Sequence, residues 1–430
     1  MLDQVKQNYI FYLILASIPL IFSVIGQSVS VLIVVLGLTF IFQKKGDLLL
    51  ILFWFILILS DNYGFTFATS IKPVLVTMVF GYAVLNLRGY YEENVVFKKF
   101  IPFFILALFL LLLSPRLLMS IQKYLSYVFV AYSIPLIVMS EFRKSSNLFL
   151  MKLTTFLFLV VLANLSYGQF SLGAYSHGGR LTGLFGNPNG LAMFSLFSLL
   201  FFDVSRSLIN FKISRNETII FYFILLSCLI LTGSRAALLS YILFFVFKRL
   251  SKSSPVIGFV ALAFIAFGYD FVVSLGYQFI ESIGLSKELR LDGDQGITTG
   301  SGRLIAWKYT WIEIQKSFFF GRGWAYDEIW IYGPIQGILN LLNHQGGVHN
   351  VYLILWLNNG IIGLLLFMGG LITTFLKASR NTFLAFPVLY AALFQANFEP
   401  WLAASLNPYT ICFFTIITIL FVGEFKVEKK

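Results

Sequence analysis

Charge is what this chain has least of. Only 12% of its 430 residues are Asp, Glu, Lys or Arg, against about 25% in soluble domains. Cysteine is almost absent. Cys228 and Cys412 both lie inside apolar runs, so buried spectator thiols are expected rather than a disulfide framework or a metal cluster. There is no Gly-x-x-x-x-Gly-Lys-[Ser/Thr] loop, and the glycines near Gly178 precede an apolar run instead of following a strand, so no nucleotide site is expected. No cleavable signal peptide is apparent: Tyr9–Ile25 lacks a small-x-small exit and reads as the first anchor. What is present is apolar. Hydrophobic residues make up 58% of the chain and mean hydropathy is +0.85, which implies a polytopic integral membrane protein. The net charge of +12 then fits the Lys/Arg excess of cytoplasmic loops; no basic, aromatic-interleaved soluble stretch supports nucleic-acid binding.

Fourteen apolar runs fall at roughly 9–25, 29–42, 48–60, 71–87, 100–113, 121–139, 148–165, 188–204, 218–232, 236–250, 256–273, 349–376, 383–396 and 409–422. A span needs about 17–25 residues, so the shorter runs lower the expectation to twelve to fourteen helices in a single membrane domain, 1–430. With the amino terminus inside and one crossing per run, twenty Lys/Arg fall in cytoplasmic segments. Five (Lys72, Arg116, Lys123, Arg180, Arg235) fall in outer ones, and six in one long loop, 274–348. That bias places the loop on the outer face and both termini in the cytoplasm. Arg180 and Arg235, at outer span ends, are then unexplained by topology. Arg180 lies in a glycine- and asparagine-rich stretch that should turn repeatedly before the next span, and Arg235 lies in a tight turn, Thr232–Ala236.

The loop has internal order. Thr299 or Ser301 can cap a helix in which Leu304, Trp307, Trp311 and Ile314 share one face, with Arg303 four residues before Trp307 and able to stack on it. A turn, Phe320–Trp324, carries Arg322; the loop ends at His344 and at the helix start Gly347–Tyr352, which carries His349. Guanidinium groups suit phosphate oxygens, bidentate and permanently charged, and an imidazole suits a base for a sugar hydroxyl. Outer-face arginines with a histidine therefore suggest transfer from a lipid diphosphate.

Gly179–Ala192 (GRLTGLFGNPNGLA), Thr232–Leu238 (TGSRAAL), Ser301–Trp307 (SGRLIAW) and Gly347–Gly363 (GVHNVYLILWLNNGIIG), in that order, resemble the O-antigen ligase and Wzy-type polysaccharide polymerase superfamily. The resemblance covers about residues 170–425. It implies an all-helical bundle of the GT-C glycosyltransferase class with short helices in the long loop. It also implies an undecaprenyl-diphosphate-linked glycan as donor, inverting transfer without a metal or other cofactor, and an inner-membrane enzyme working at the outer face. Carried onto this chain, it makes Arg235 and Arg303 diphosphate clamps, Arg180 and Arg322 supporting cations, and His349 the base. Glu399, in the turn Asn397–Trp401, resembles an acidic position of the family that orients the histidine. A glycan acceptor, membrane lipid and a chain-length regulator protein are the implied partners.

Within that superfamily, a ligase should present a basic surface to a phosphate-rich lipid A core. The long loop holds six cations against seven acids, which favours a polymerase. A flippase for lipid-linked glycan is the alternative from another class, although the paired half-repeats of many transporters are missing.

Overall fold

In the computed structural model, residues 2–170, 175–176, 179–253, 260, 303–341 and 346–426 are described. The protein is an all-α, multi-pass membrane bundle. Its helices, in chain order, are α1 (Leu2–Ile25), α2 (Val29–Phe42), α3 (Gly46–Ser60), α4 (Thr66–Asn86), α5 (Val95–Leu110), α6 (Leu117–Lys144), α7 (Ser146–Phe170), α8 (Pro188–Arg206), α9 (Arg215–Leu231) and α10 (Arg235–Ser253). Then come α11 (Arg303–Gln315), the single-turn helices α12 (Tyr326–Ile331) and α13 (Gln336–Leu341), α14 (Val351–Ala378), α15 (Ala385–Ala396) and α16 (Pro408–Val422). Thirteen of the fourteen apolar runs are helices; the run 256–273 lies outside the described residues. So do Thr299, Ser301, Lys287, Arg290 and His344.

Among the described residues, seven helical stretches are long and apolar enough to cross a membrane, and α3, α15 and α16 are shorter apolar helices. The stretch Tyr9–Phe42 counts once among the seven, yet Gly26, at φ +58°, divides it into α1 and α2. The count falls below twelve because several helices run only 12 to 17 residues. Two of these, α3 and α16, are buried over nearly their whole length, so protein rather than lipid covers them. Lipid-facing surface is supplied by the exposed apolar side chains of α1, α2 and α9, such as Leu20, Phe42 and Phe223. Both cysteines are buried and free.

Helix α14 is two helices joined at Gly360, whose φ of +68° and ψ of 178° break the turn. The break frees backbone groups deep in the bundle, where each unsatisfied group is costly. The segment 318–323 supplies the missing partners. Arg322 N and Gly323 N donate to the carbonyls of Leu357 and Asn358, at 3.0 and 2.9 Å, and Phe318 O accepts from Ile361 N at 2.9 Å. A Cβ at Gly360 would lie 2.1 Å from Phe319 O. Gly360→Ala therefore combines a clash with a strained backbone worth about 1–3 kcal/mol. The expected outcome, read from thermal unfolding in detergent, is a variant that accumulates poorly and melts well below the wild type; an unchanged melting point would contradict this arrangement.

The predicted face of α11 is displaced by about one position. Ala306, Thr310, Glu313 and Ile314 are buried, whereas Leu304 is 47% exposed. Trp307 and Trp311 pack onto the start of α14, through a Trp307 Nε1 hydrogen bond to Val348 O and an edge contact with Trp356. Tertiary contact with α14 chose the buried side.

Candidate functional site

Three helices begin at one end of the bundle on asparagine caps. Asn187 caps α8, Asn350 caps α14 and Asn407 caps α16, and Pro188 and Pro408 follow two of them at the first helical position. Each cap oxygen accepts an amide hydrogen that would otherwise have no partner, and proline lacks one to satisfy. Before α8, the chain turns at Gly179 (φ +75°) and Gly183 (φ +59°), and Tyr175–Ser176 pairs with Arg180–Leu181 as a minimal antiparallel ladder. The repeated turning expected of this stretch is present. It delivers Arg180 to the same end.

These segments converge on Glu399, which is 4% exposed in the connection between α15 and α16. Its Oε1 accepts from Arg303 Nη2 at 2.6 Å and from Asn189 Nδ2 at 2.8 Å. Its Oε2 lies 3.3 Å from His349 Nδ1. Asn189 Oδ1 accepts in turn from Arg180 Nη2 at 2.6 Å, and Arg180 Nε donates to Thr232 O at 2.7 Å. One carboxylate thus ties together the loop before α8, the first residue of α11, the residue before the α14 cap and the turn between α9 and α10. Burial works to raise the Glu399 carboxyl, but the His349 hydrogen bond, the Arg303 charge and the Asn189 amide together hold it below the ordinary carboxylate range.

His349 sits at φ +50°, a left-handed conformation uncommon outside glycine. That turn directs Nδ1 back to Glu399 and brings Nε2 beside Gly346, where a Cβ would stand 2.8 Å from it. Strain of this kind persists where surrounding contacts over-determine it, often at functional positions.

Of the six residues singled out in the sequence, Arg303 and His349 contact Glu399 directly, and Arg180 joins them through Asn189. Arg235 begins α10 two residues after Gly233, which lies against the Arg180 side chain. Arg322 is not brought to this group. Its guanidinium faces Glu313 at 3.8 Å and the ring of Tyr326 at 6.0 Å, beyond the far end of α11 from Arg303. The backbone pairing with α14 holds it there. Arg303 pairs with Glu399 instead of stacking on Trp307.

Three participants were missed. Asn189, one of the asparagines of the turning stretch, is the link between Arg180 and Glu399. Asp61, just past α3, accepts from Tyr409 Oη at 3.2 Å, and both crowd Gly190, where a Cβ would lie 2.5 Å from Asp61 Oδ2. A lone acid after an apolar run and a tyrosine inside one carry no signal until α3, α8 and α16 are packed together. Burial is the largest influence on Asp61 and pushes it up to about 6. The Tyr409 hydrogen bond and the Lys72 charge pull it down, and the Glu399 charge adds to the rise.

A carboxyl raised on folding contributes stability that is complete below its unfolded value, about 4, and is lost as pH climbs through about 6. The thermal midpoint of the wild type should therefore lose up to about 3 kcal/mol of stability over that window from this group. Asp61→Asn should flatten that slope. Parallel slopes in the two proteins would overturn the assignment.

Residues 220–368, about a third of the chain, match the family model described as O-antigen ligase. Arg235, Arg303, Arg322 and His349 fall inside the match, whereas Arg180, Asn189 and Glu399 fall outside it and join the site through the fold. A search of curated proteins finds no match for the chain. The flippase reading gains no support. The domain matched over residues 220–368 supports, for this multi-pass membrane protein, a likeness to the O-antigen ligase and polymerase superfamily and to its glycosyltransferase type of activity.

Proposed function

We propose that the protein is a polymerase that joins undecaprenyl-diphosphate-linked oligosaccharide repeats at the outer face of the cytoplasmic membrane. The observation that carries this reading is the single buried carboxylate, Glu399, holding His349 and Arg303 together, with Arg180 one hydrogen bond further out. Glu399 accepts a proton-bearing Nδ1, which selects the tautomer whose Nε2 can take a proton. The acceptor hydroxyl attacks the anomeric carbon as its proton passes to Nε2. The bond from that carbon to the diphosphate oxygen breaks, and the lipid diphosphate departs with the electron pair. Direct displacement of this kind inverts the anomeric centre.

The leaving diphosphate gains negative charge, and preformed cations in a water-poor site stabilise it most. Arg303 spends one of its five N–H donors on Glu399, which leaves others for phosphate. Arg180 and Arg235 would complete the clamp; guanidinium groups then supply the charge that a metal supplies elsewhere. Arg322, set apart against Glu313, is left out of the clamp. The outer-face placement follows from the cation bias of the loops. Near-neutral charge in the long loop favours a lipid-linked glycan acceptor over the phosphate-rich lipid A core.

The test is reconstitution in liposomes with an undecaprenyl-diphosphate oligosaccharide. A ladder of longer lipid-linked glycans is expected. Transfer to lipid A core without a ladder would make the protein a ligase, and neither product would overturn the reading.

A further inference from the structure

A second site lies at the same end of the bundle. A cleft of about 530 Å³ opens between the outer turns of α4 and α6, in the size range of small-ligand sites. Its walls include Val76, Leu125 and Phe129, its depth holds Tyr127 and Trp324, and residues 403–406 close one side. Leu125 is 41% exposed, so the apolar wall continues onto the lipid-facing surface.

Two cations face this cleft. Lys123 is paired with Glu328. Lys72 is half-buried, and among the described residues no carboxylate stands within ion-pairing distance of it. Asp61 and Glu328 act on this ammonium from a distance without pairing with it, so beside apolar walls it can still take an anion, and a cleft that opens to lipid calls for one carrying a tail. The wall at 403–406 belongs to the same connection as Glu399; Ala403, four residues on, lies within about 14 Å of it along the chain. Asp61 feels the charges of both Lys72 and Glu399.

We propose that this cleft seats the phosphate headgroup of a second glycolipid, the acceptor, with its tail along α4 and α6 and its glycan directed towards His349. The acceptor role rests on the transfer reading; the phosphate-lipid site does not.

The experiment uses the full protein in nanodiscs with an undecaprenyl-diphosphate oligosaccharide, counted by native mass spectrometry alongside transfer kinetics. The wild type should bind two such lipids, and Lys72→Gln and Arg303→Ala one each. Lys72→Gln should raise KM for transfer on the order of tenfold, the loss of one charge-assisted contact, with kcat at saturating lipid unchanged. Gln122→Glu, an exposed substitution at the rim that adds a repelling charge, should act in the same direction without threatening the fold.

A second lipid retained and a KM within twofold of the wild type in Lys72→Gln and Gln122→Glu would overturn the proposal. So would equal occupancy of the cleft by phosphatidylglycerol, which would make it a general lipid contact. Two bound lipids, one lost with Lys72→Gln, but no transfer would instead sink the polymerase reading and leave the cleft as a phosphate-lipid site.

Discussion

Replacing His349 with alanine is expected to lower glycan transfer by about 10²–10⁴-fold, the usual contribution of a positioned general base. The loss should appear in kcat, because the imidazole acts on a proton that moves only during the reaction. Position 349 is left-handed, so part of any alanine effect could reside in the backbone. His349→Asn separates the two, since asparagine tolerates that conformation and has no comparable basicity. Both variants should be equally inactive while melting near the wild type. Arg303→Ala is expected to cost about 10²–10³-fold through the lost stabilisation of the leaving diphosphate. Arg303→Lys should recover little, because an ammonium cannot span two phosphate oxygens as a guanidinium does. Wild-type turnover in His349→Asn and Arg303→Ala would remove the catalytic assignment altogether.

Glu399→Ala should be the most damaging single change in the protein, in stability as well as activity. The carboxylate is buried and receives Arg303, Asn189 and His349. Removing one partner of a buried ion pair strands the other and costs about 3–5 kcal/mol. The stranded group here is Arg303, with the Arg180–Asn189 arm losing its anchor at the same time. Glu399→Gln retains shape and some hydrogen bonding, so it should fold better than the alanine variant and still transfer poorly. A double-mutant cycle with Arg303→Ala tests the coupling. If Glu399 chiefly neutralises Arg303, the double variant should be more stable than the sum of the single losses predicts. Strict additivity, measured from thermal or denaturant unfolding, would mean that the contact carries no coupling energy.

The outcome for the arginines shows how such a site is read. Arg180, Arg235, Arg303 and Arg322 look alike along the chain, each a cation near a turn that topology does not explain. The fold separates Arg322 from the others by drawing 318–323 into the break of α14 at Gly360. Backbone satisfaction inside the bundle placed that residue, and its charge found Glu313. Asn189 shows the converse. Its side chain has no charge and no motif of its own, yet it bridges two charged partners.

Helices, their approximate ends and the membrane class were legible from the chain alone, because hydrophobic length and local caps act over a few residues and need no partner. The asparagine before α14 announced a helix start. Which side of α11 is buried, which arginine joins the carboxylate, and that Asp61 and Lys72 stand near it were decided only by packing. Those relations link positions tens to hundreds of residues apart, such as Asn189 with Glu399 and Asp61 with Tyr409. No local pattern encodes them: they follow from how neighbouring helices cover apolar surface and meet the demand that every buried polar group find a partner.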